Sequence, residues 1–156
     1  MGWFGYGLYD GDDTQTSHID FIKRAIPSLS KDDIYEMLGS GETSIPNNYI
    51  AAFKKGVPAI LKKMKAPKNM LELKWYDEDF AIDWQMLLSL FVDNNLSVPH
   101  DVLVNGMLAC HYLLGDHAAD FNYPGKRRAS IKRFMKKVDS EFCTVKARKE
   151  IQKKLK

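Results

Sequence analysis

Residues 79–114 decide the fold: DFAIDWQMLLSLFVDNNLSVPHDVLVNGMLACHYLL. The first part of this stretch carries large apolar side chains three or four residues apart, at Phe80, Trp84, Leu87, Leu88 and Phe91. This spacing is the period of one face of an α-helix. Ala81, Ile82 and Val92 widen the face until little of the helix is left for solvent. The pattern predicts a buried core helix over residues 79–93.

The second part of the stretch predicts another apolar helix after a turn at residues 93–95. Ser97 and Pro99 favour a helix start, and Asp101 in the first turn suits the positive end of the helix dipole. The apolar positions that follow are Leu103, Met107, Leu108, Cys110 and Leu114. Two apolar helices joined by a short turn are expected to pack antiparallel at the centre of the fold.

A helix is also predicted near the N-terminus, after Asp13. Ile19, Ile22 and Ile26 recur at spacings of three and four residues, and Pro27 ends the run. Its apolar stripe is expected to face the core.

A second, shorter helix follows. Ser30 and Asp33 resemble a capping box with Asp in place of Glu. They open a helix through Ile34, Met37 and Leu38, which the glycines at 39 and 41 close.

A longer apolar stripe begins after Pro46. Its members keep helical phase at Tyr49, Phe53, Val57, Ile60, Leu61 and Met64. Gly56 and Pro58 interrupt the stripe, so we expect either a kink or two short helices that meet near Val57. Residues 68–78 are predicted to form a loop.

The C-terminal part predicts an amphipathic helix after a break at residues 122–125. Its apolar positions are Ile131, Phe134, Met135, Val138 and Phe142. Its opposite face is basic, with Arg127, Arg128, Lys132, Arg133, Lys136 and Lys137. We therefore expect an all-α protein: an irregular bundle of five to seven short helices, with the N-terminal glycine and aromatic segment packed on it. Residues 1–145 would form one helical domain, and residues 146–156 a basic C-terminal tail or helix extension.

Composition favours a globular protein of the cell interior. Hydrophobic residues make up 45% of the 156 residues and charged residues 28%, so the chain can build a core. No window approaches the roughly 20 apolar residues of a membrane span, and no secretory signal is visible. Cys110 and Cys143 are expected to be free thiols in a reducing compartment. We predict a soluble, cytoplasmic protein with no membrane contact and no cofactor.

Charge is distributed unevenly along the chain. Residues 1–122 carry 10 Lys and Arg against 17 Asp and Glu, a net charge of −7. Residues 123–156 carry 13 against 3, a net charge of +10. Such a basic region can bind phosphates in a salt-dependent manner or bind an acidic protein, and it can also be a solvated face with no partner.

The opening residues are rich in rings. Trp3, Tyr6 and Tyr9 alternate with glycines, which argue against a regular helix. These side chains can form a surface that binds a partner, or they can fill a groove in the helical bundle.

An acidic cluster follows the rings. Asp10, Asp12 and Asp13, with His18 nearby, can supply ligands for a hard cation and hence support metal-assisted hydrolysis. The calcium-loop pattern fails, because Gln15 stands where it requires Gly and Phe21 where it requires Glu. Helix capping also explains the carboxylates.

The segment Gly2-Trp3-Phe4-Gly5-Tyr6-Gly7-Leu8-Tyr9-Asp10-Gly11-Asp12-Asp13 resembles the opening of a bacterial and phage family of small helical proteins of unknown function. Members begin with a Trp, two glycines, an aromatic residue and then Asp-Asp or Asn-Asp. This chain departs from that pattern at Phe4 and at Gly11-Asp12. The resemblance covers about a tenth of the chain. It implies a bacterial or phage origin and brings no activity or catalytic residue with it.

Three functions remain open at this point. The leading hypothesis is a non-enzymatic protein–protein interaction module, because the sequence shows no phosphate loop, dinucleotide fingerprint, zinc-type cysteine pair or nucleophile elbow. The first alternative is nucleic-acid binding through the basic region 124–156. The second is a metal-assisted hydrolase that uses the cluster of residues 10–13.

Overall fold

The computed structural model describes the backbone of residues 12–38, 45–65, 67–74, 77–115 and 124–156. Side chains are described for residues 17–36, 45–65, 67–74, 77–115 and 128–156. All regular structure within these ranges is helical, which confirms the predicted all-α class. The α-helices are α1 (Asp12–Ala25), α2 (Lys31–Leu38), α3 (Asn47–Lys63), α4 (Glu78–Asp93), α5 (His100–Leu113), α6 (Pro124–Glu141) and α7 (Val145–Leu155), with a 3₁₀ turn at Met70–Glu72.

Helices α4 and α5 form the predicted antiparallel pair at the centre of the molecule. From Ala81 to Val92, every residue of α4 except Asp83 is buried. The two helices approach closely because α5 has a glycine at position 106. A Cβ there would lie 2.7 Å from Cβ of Leu88, closer than side-chain atoms approach without displacement. The tight contact explains why this pair can bury so much of its surface.

The prediction that Phe80 belongs to the buried apolar face of α4 was wrong. Phe80 is 36% exposed, whereas Trp84, Leu87, Leu88 and Phe91 are buried. Phe80 lies in the first turn of α4, before the stretch from Ala81 onwards that is enclosed by neighbouring helices.

The turn between α4 and α5 is built by asparagines. Asn95 has a left-handed backbone conformation with φ 53°, which Asn adopts more readily than most residues. The amides of Leu96 and Asn95 donate to the carbonyls of Phe91 and Val92, the paired bonds of a Schellman motif. These bonds end α4 and reverse the chain within a few residues.

Helix α3 is a single helix of 17 residues, so the alternative of two short helices was wrong. Gly56 does not interrupt it. A Cβ at this position would overlap the backbone of Ala25, so the glycine allows α1 and α3 to pack at close range. Pro58 lies inside the helix with an exposed side chain.

The predicted capping box of α2 is confirmed. The amide of Asp33 donates to Oγ of Ser30 at 3.1 Å, and the amide of Ser30 donates to Oδ2 of Asp33 at 3.2 Å. This reciprocal pair satisfies two amides that the helix start leaves without helical partners.

Long-range contacts join these helices into one core. Phe53 of α3 meets Phe91 of α4 edge to face, with ring centroids 5.9 Å apart. The indole of Trp84 donates to the carbonyl of Lys65 at 3.0 Å, and the amide of Ile45 donates to the side chain of Asn94 at 2.8 Å. The segments before and after α3 are thereby fixed to α4 and its turn.

The C-terminal helices differ from the sequence interpretation at two points. Pro124 and Gly125 form the first turn of α6 rather than a break before it, in line with the preference of proline for the first helical position. Residues 145–155 form a separate helix, α7, because a turn after Glu141 ends α6. None of the described helices is long and apolar enough to cross a bilayer.

Candidate functional site

Helix α6 separates apolar from basic side chains as the sequence predicts. Ile131, Phe134 and Val138 are buried, and Met135 and Phe142 are partly buried against the same core. The exposed side of the helix carries Lys132, Arg133, Lys136 and Lys137. The heptad-like spacing of the apolar residues thus places four cations in solvent.

The first two basic residues of the predicted face behave differently. Arg128 is only partly exposed, and its Nε is buried, so it is part of the packing of α6. The side chain of Arg127 lies outside the described residues.

Helix α7 adds a second set of cations. Thr144 caps it by accepting a hydrogen bond from the amide of Ala147 at 3.1 Å. Ala147 and Ile151 are buried and pack on α5, which leaves the rest of α7 in contact with solvent. Its exposed basic residues are Lys146, Lys149, Lys153 and Lys154, and the exposed Lys156 follows directly after it. Together, α6 and α7 form what we call the basic surface.

Two polar contacts fix α7 in place. Arg148 donates to the carboxylate of Asp139 through Nε at 3.1 Å and to its backbone carbonyl at 2.9 Å. His100, at the start of α5, contacts Glu150 with 2.6 Å between Nε2 and Oε2. The hydrogen bond with His100 lowers the pKa of Glu150. Helix α7 is therefore held against both neighbours by its own side chains.

A groove of about 360 Å³ lies between α5, α6 and α7. We call it the C-terminal groove. Its residues are Met107, His111, Met135, Lys136, Asp139, Cys143, Arg148, Ile151, Gln152 and Leu155. Four of these ten residues are methionine or aliphatic, so the groove can accept apolar groups beside polar ones.

The groove combines neutral side chains with positive charge. Burial lowers the pKa of His111, which favours the neutral imidazole, and burial raises the pKa of Cys143, which favours the thiol. The carboxylate of Asp139 is occupied by Arg148. Lys136 is exposed and forms no ion pair with the described residues, so its charge faces solvent.

The sequence-predicted ring and acid clusters cannot be placed in this site. Trp3, Tyr6, Tyr9 and Asp10 lie outside the described residues, and so do the side chains of Asp12 and Asp13. The remaining member of the hydrolase hypothesis, His18, is 2% exposed, and burial lowers its pKa to about 3. Within the described residues, no group of three or more His, Cys, Asp or Glu side chains is arranged to hold a metal ion.

A smaller polar cavity of about 100 Å³ lies between α1, α3 and α4. Ser17 donates to Oδ1 of Asp83 at 2.6 Å inside it, and Asp20 and Arg24 also line it. Burial raises the pKa of Asp83, although the hydrogen bond from Ser17 opposes this shift. The hydrogen bond explains how a carboxyl group is accommodated on the apolar helix α4.

Sequence reasoning missed the C-terminal groove. Its wall combines residues from three helices, and residues 146–156 were interpreted from their charge alone. The available signal was the spacing of Ala147, Ile151 and Leu155 at intervals of four, which indicates an apolar stripe within the basic segment.

Comparison with known proteins adds no relative. No protein-family model, curated protein or solved structure matches this chain. The resemblance of residues 2–13 to a family of unknown function stays a prediction.

Proposed function

We propose that the protein is a non-enzymatic interaction module that binds an acidic segment of a partner protein through α6 and α7. The observation that supports this function is the combination of the basic surface with an apolar groove between the same helices. Exposed cations attract an acidic partner and orient it, while buried apolar contacts provide affinity and specificity.

The charge on this surface is large and mostly uncompensated. Residues 128–156 carry 11 Lys and Arg against 3 Asp and Glu, a net charge of +8. Two of the carboxylates have partners within the described region: Asp139 contacts Arg148, and Glu150 contacts Lys154 and the imidazole of His100. The field in front of α6 and α7 therefore favours negatively charged ligands.

Nucleic-acid binding is the second candidate, and the same exposed cations favour it. Bases bind best where rings stack on them. Between residues 128 and 156 the aromatic side chains are Phe134, which is buried, and Phe142, which is partly buried. A surface with cations and an apolar groove but no exposed ring in this region suits a protein segment better.

A charge-reversal experiment tests the proposed function. The probe is a fluorescent 20-residue helical peptide with Glu on its polar face and Leu every three or four residues. Four lysines of the basic surface are changed together to Glu: Lys132, Lys137, Lys149 and Lys153. The matched control reverses four exposed lysines of α2 and α3, namely Lys31, Lys54, Lys55 and Lys62. Both variants have the same net charge, so a difference in their affinity for the peptide shows that the position of the reversed lysines matters.

We expect fluorescence anisotropy to show binding to the wild-type protein and to the control variant, and loss of at least about tenfold in affinity for the variant of the basic surface. Binding should weaken as NaCl rises from about 50 to about 200 mM. Equal affinity of both variants, or no binding of the peptide, would overturn the proposal. A 20-base-pair DNA duplex that binds more tightly than the peptide would favour the second candidate instead.

A further inference from the structure

We infer that the C-terminal groove binds one amphipathic α-helix of the partner, with the apolar stripe of that helix in the groove and its carboxylates against lysines of α6 and α7. This inference rests on the proposed function and specifies the conformation and chemistry of the bound segment.

The dimensions and wall of the groove favour apolar side chains. Its volume of about 360 Å³ falls within the range of roughly 300–1,000 Å³ that is usual for ligand pockets. Met107 and Met135 contribute from α5 and α6, and Ile151 and Leu155 contribute from α7. Methionine side chains adapt to partners of different shape, and methionine-rich grooves commonly accept helices.

Exposed apolar residues continue this wall along α7. Among the described side chains, four large hydrophobic residues are exposed: Tyr35, Phe80, Val145 and Leu155. Val145 and Leu155 are both on α7, at positions that share a face with the groove residues Arg148 and Gln152. They are ten residues apart, so the stripe is about 15 Å long and matches about three turns of a bound helix.

The walls favour a helix over an extended segment. Three helices surround the groove, and the described part of the chain contains no strand whose edge could pair with an incoming strand. An extended peptide would leave backbone amides and carbonyls without partners where they lie against Met107, Met135 and the aliphatic residues of α7, which is costly. A helix satisfies these groups internally and presents side chains alone.

The cations around the groove determine the charge of the ligand. Lys136 lines the groove, and Lys132 lies one helical turn before it on the same side of α6. Lys149 of α7 lies three residues before the groove residue Gln152, and Lys156, which directly follows α7, lies four residues after it; both lysines are exposed. A helix with carboxylates on both sides of its apolar stripe would meet cations from both walls.

The chain carries its own reporter of groove occupancy. Cys143 lines the groove and is partly exposed, whereas Cys110 is fully buried, and burial raises its pKa to about 12. Thiolate is the reactive form, so iodoacetamide should modify Cys143 in the folded protein and leave Cys110 unmodified. Peptide mapping by mass spectrometry identifies the modified residue.

The first test is protection of Cys143. At a concentration ten times its dissociation constant, the acidic Leu-containing peptide should slow alkylation of Cys143 about tenfold, because about a tenth of the protein remains free. A peptide with the same Glu residues but Ser in place of Leu should give little protection. If the Ser peptide binds and protects as well as the Leu peptide, the groove inference is wrong while the proposed function still stands.

The second test changes the groove itself. Leu155→Ser and Val145→Ser together should weaken binding of the Leu peptide about tenfold or more, because its apolar side chains lose their contacts. Tyr35→Ser and Phe80→Ser remove two exposed apolar side chains elsewhere and form the matched control, expected to bind as the wild type does. Thermal melts followed by circular dichroism establish that both variants are folded.

Each remaining outcome has a defined meaning. Equal affinity of the groove variant and its control would overturn the inference. A dimer of the free protein in sedimentation, with Cys143 protected before any peptide is added, would show that a second copy covers the groove and would also overturn it. Loss of binding in the charge-reversal variant alone would support the basic surface and leave the groove without a ligand role.

Discussion

The α4–α5 pair and the α6–α7 pair are both built from α-helices, but they differ in how much of their surface is buried. The first pair buries nearly all of its residues from Ala81 to Val92 and from Val102 to Leu113. The second pair buries few residues beyond Ile131, Phe134 and Val138 on α6 and two on α7. The apolar pair provides the stability of the fold, and the charged pair provides a surface whose sequence can change at little cost to folding.

Polar groups show the same contrast. In α4 the buried amide of Gln85 donates to Oγ of Ser89, and that hydroxyl donates to the carbonyl of Gln85, both at 2.9 Å. On α6 and α7 the contact between Asp139 and Arg148 is exposed. A buried polar group needs such partners because unmade hydrogen bonds are costly away from water, whereas exposed lysines are solvated without them.

Truncation of a core ring should give the greatest difference between the two pairs. We expect Phe91→Ala to lower the free energy of unfolding by about 3–5 kcal/mol, because the ring is 3% exposed and packs against Phe53. The control Lys137→Ala on α6 should change it by less than about 0.5 kcal/mol. Urea unfolding followed by circular dichroism measures both. Similar losses in the two variants would contradict the assignment of stability to α4–α5.

The close approach of α5 to α4 can be tested by adding one methyl group. Gly106→Ala should destabilise the fold by about 1–3 kcal/mol, because the new Cβ overlaps Leu88. In a double-mutant cycle, Leu88→Ala should remove only part of this extra cost, since it deletes Cγ and Cδ2 of Leu88 but keeps the Cβ that would lie 2.7 Å from the new methyl group. Strictly additive free energies of unfolding would show that the two residues do not compete for this space.

Burial of His18 should make the fold sensitive to acid. Its folded-state pKa of about 3 lies below the unfolded value of 6.5, so the unfolded state binds the proton more tightly. Stability is then full above pH 6.5 and falls between pH 6.5 and about pH 3, at up to about 1.4 kcal/mol for each pH unit. Urea unfolding at pH 7, 6 and 5 should show this slope in the wild type and a shallower slope in His18→Leu. An unchanged slope would assign the acid sensitivity to other groups.

Charge reversal on the basic surface should have the smallest effect on stability. The combined Lys132→Glu, Lys137→Glu, Lys149→Glu and Lys153→Glu variant changes exposed side chains, which individually alter stability by less than about 0.5 kcal/mol. We expect its thermal melt to stay within a few degrees of the wild type. A large drop in melting temperature would mean that these lysines support the packing of α6 and α7. The binding experiment would then be repeated with Gln in place of Glu at the same four positions.

Much of the helical pattern could be predicted because it depends on local chemistry. The capping box of Ser30 and Asp33, the stop at Pro27 and the asparagine turn before α5 involve residues a few positions apart. The sequence could not show the purpose of Gly56. The low helix propensity of glycine suggested an interruption of α3. The glycine instead leaves room for the backbone of Ala25, which is distant in the chain.

The candidate site was predictable only in part. The alternation of apolar and basic residues placed Lys132, Arg133, Lys136 and Lys137 on one exposed side of α6, as observed. Arg128 follows the same spacing but is partly buried, because the neighbours of a helix end are not a property of that helix alone.

The sequence by itself determined the helical class, the apolar central pair and the concentration of positive charge after residue 123, because periodicity and composition are properties of neighbouring residues. Only the tertiary structure decided that α7 packs on α5 and that a groove with Met107, Met135 and Leu155 in its wall lies beside the cations. A groove is the space between helices from separate parts of the chain, and its existence depends on how closely their side chains allow them to pack.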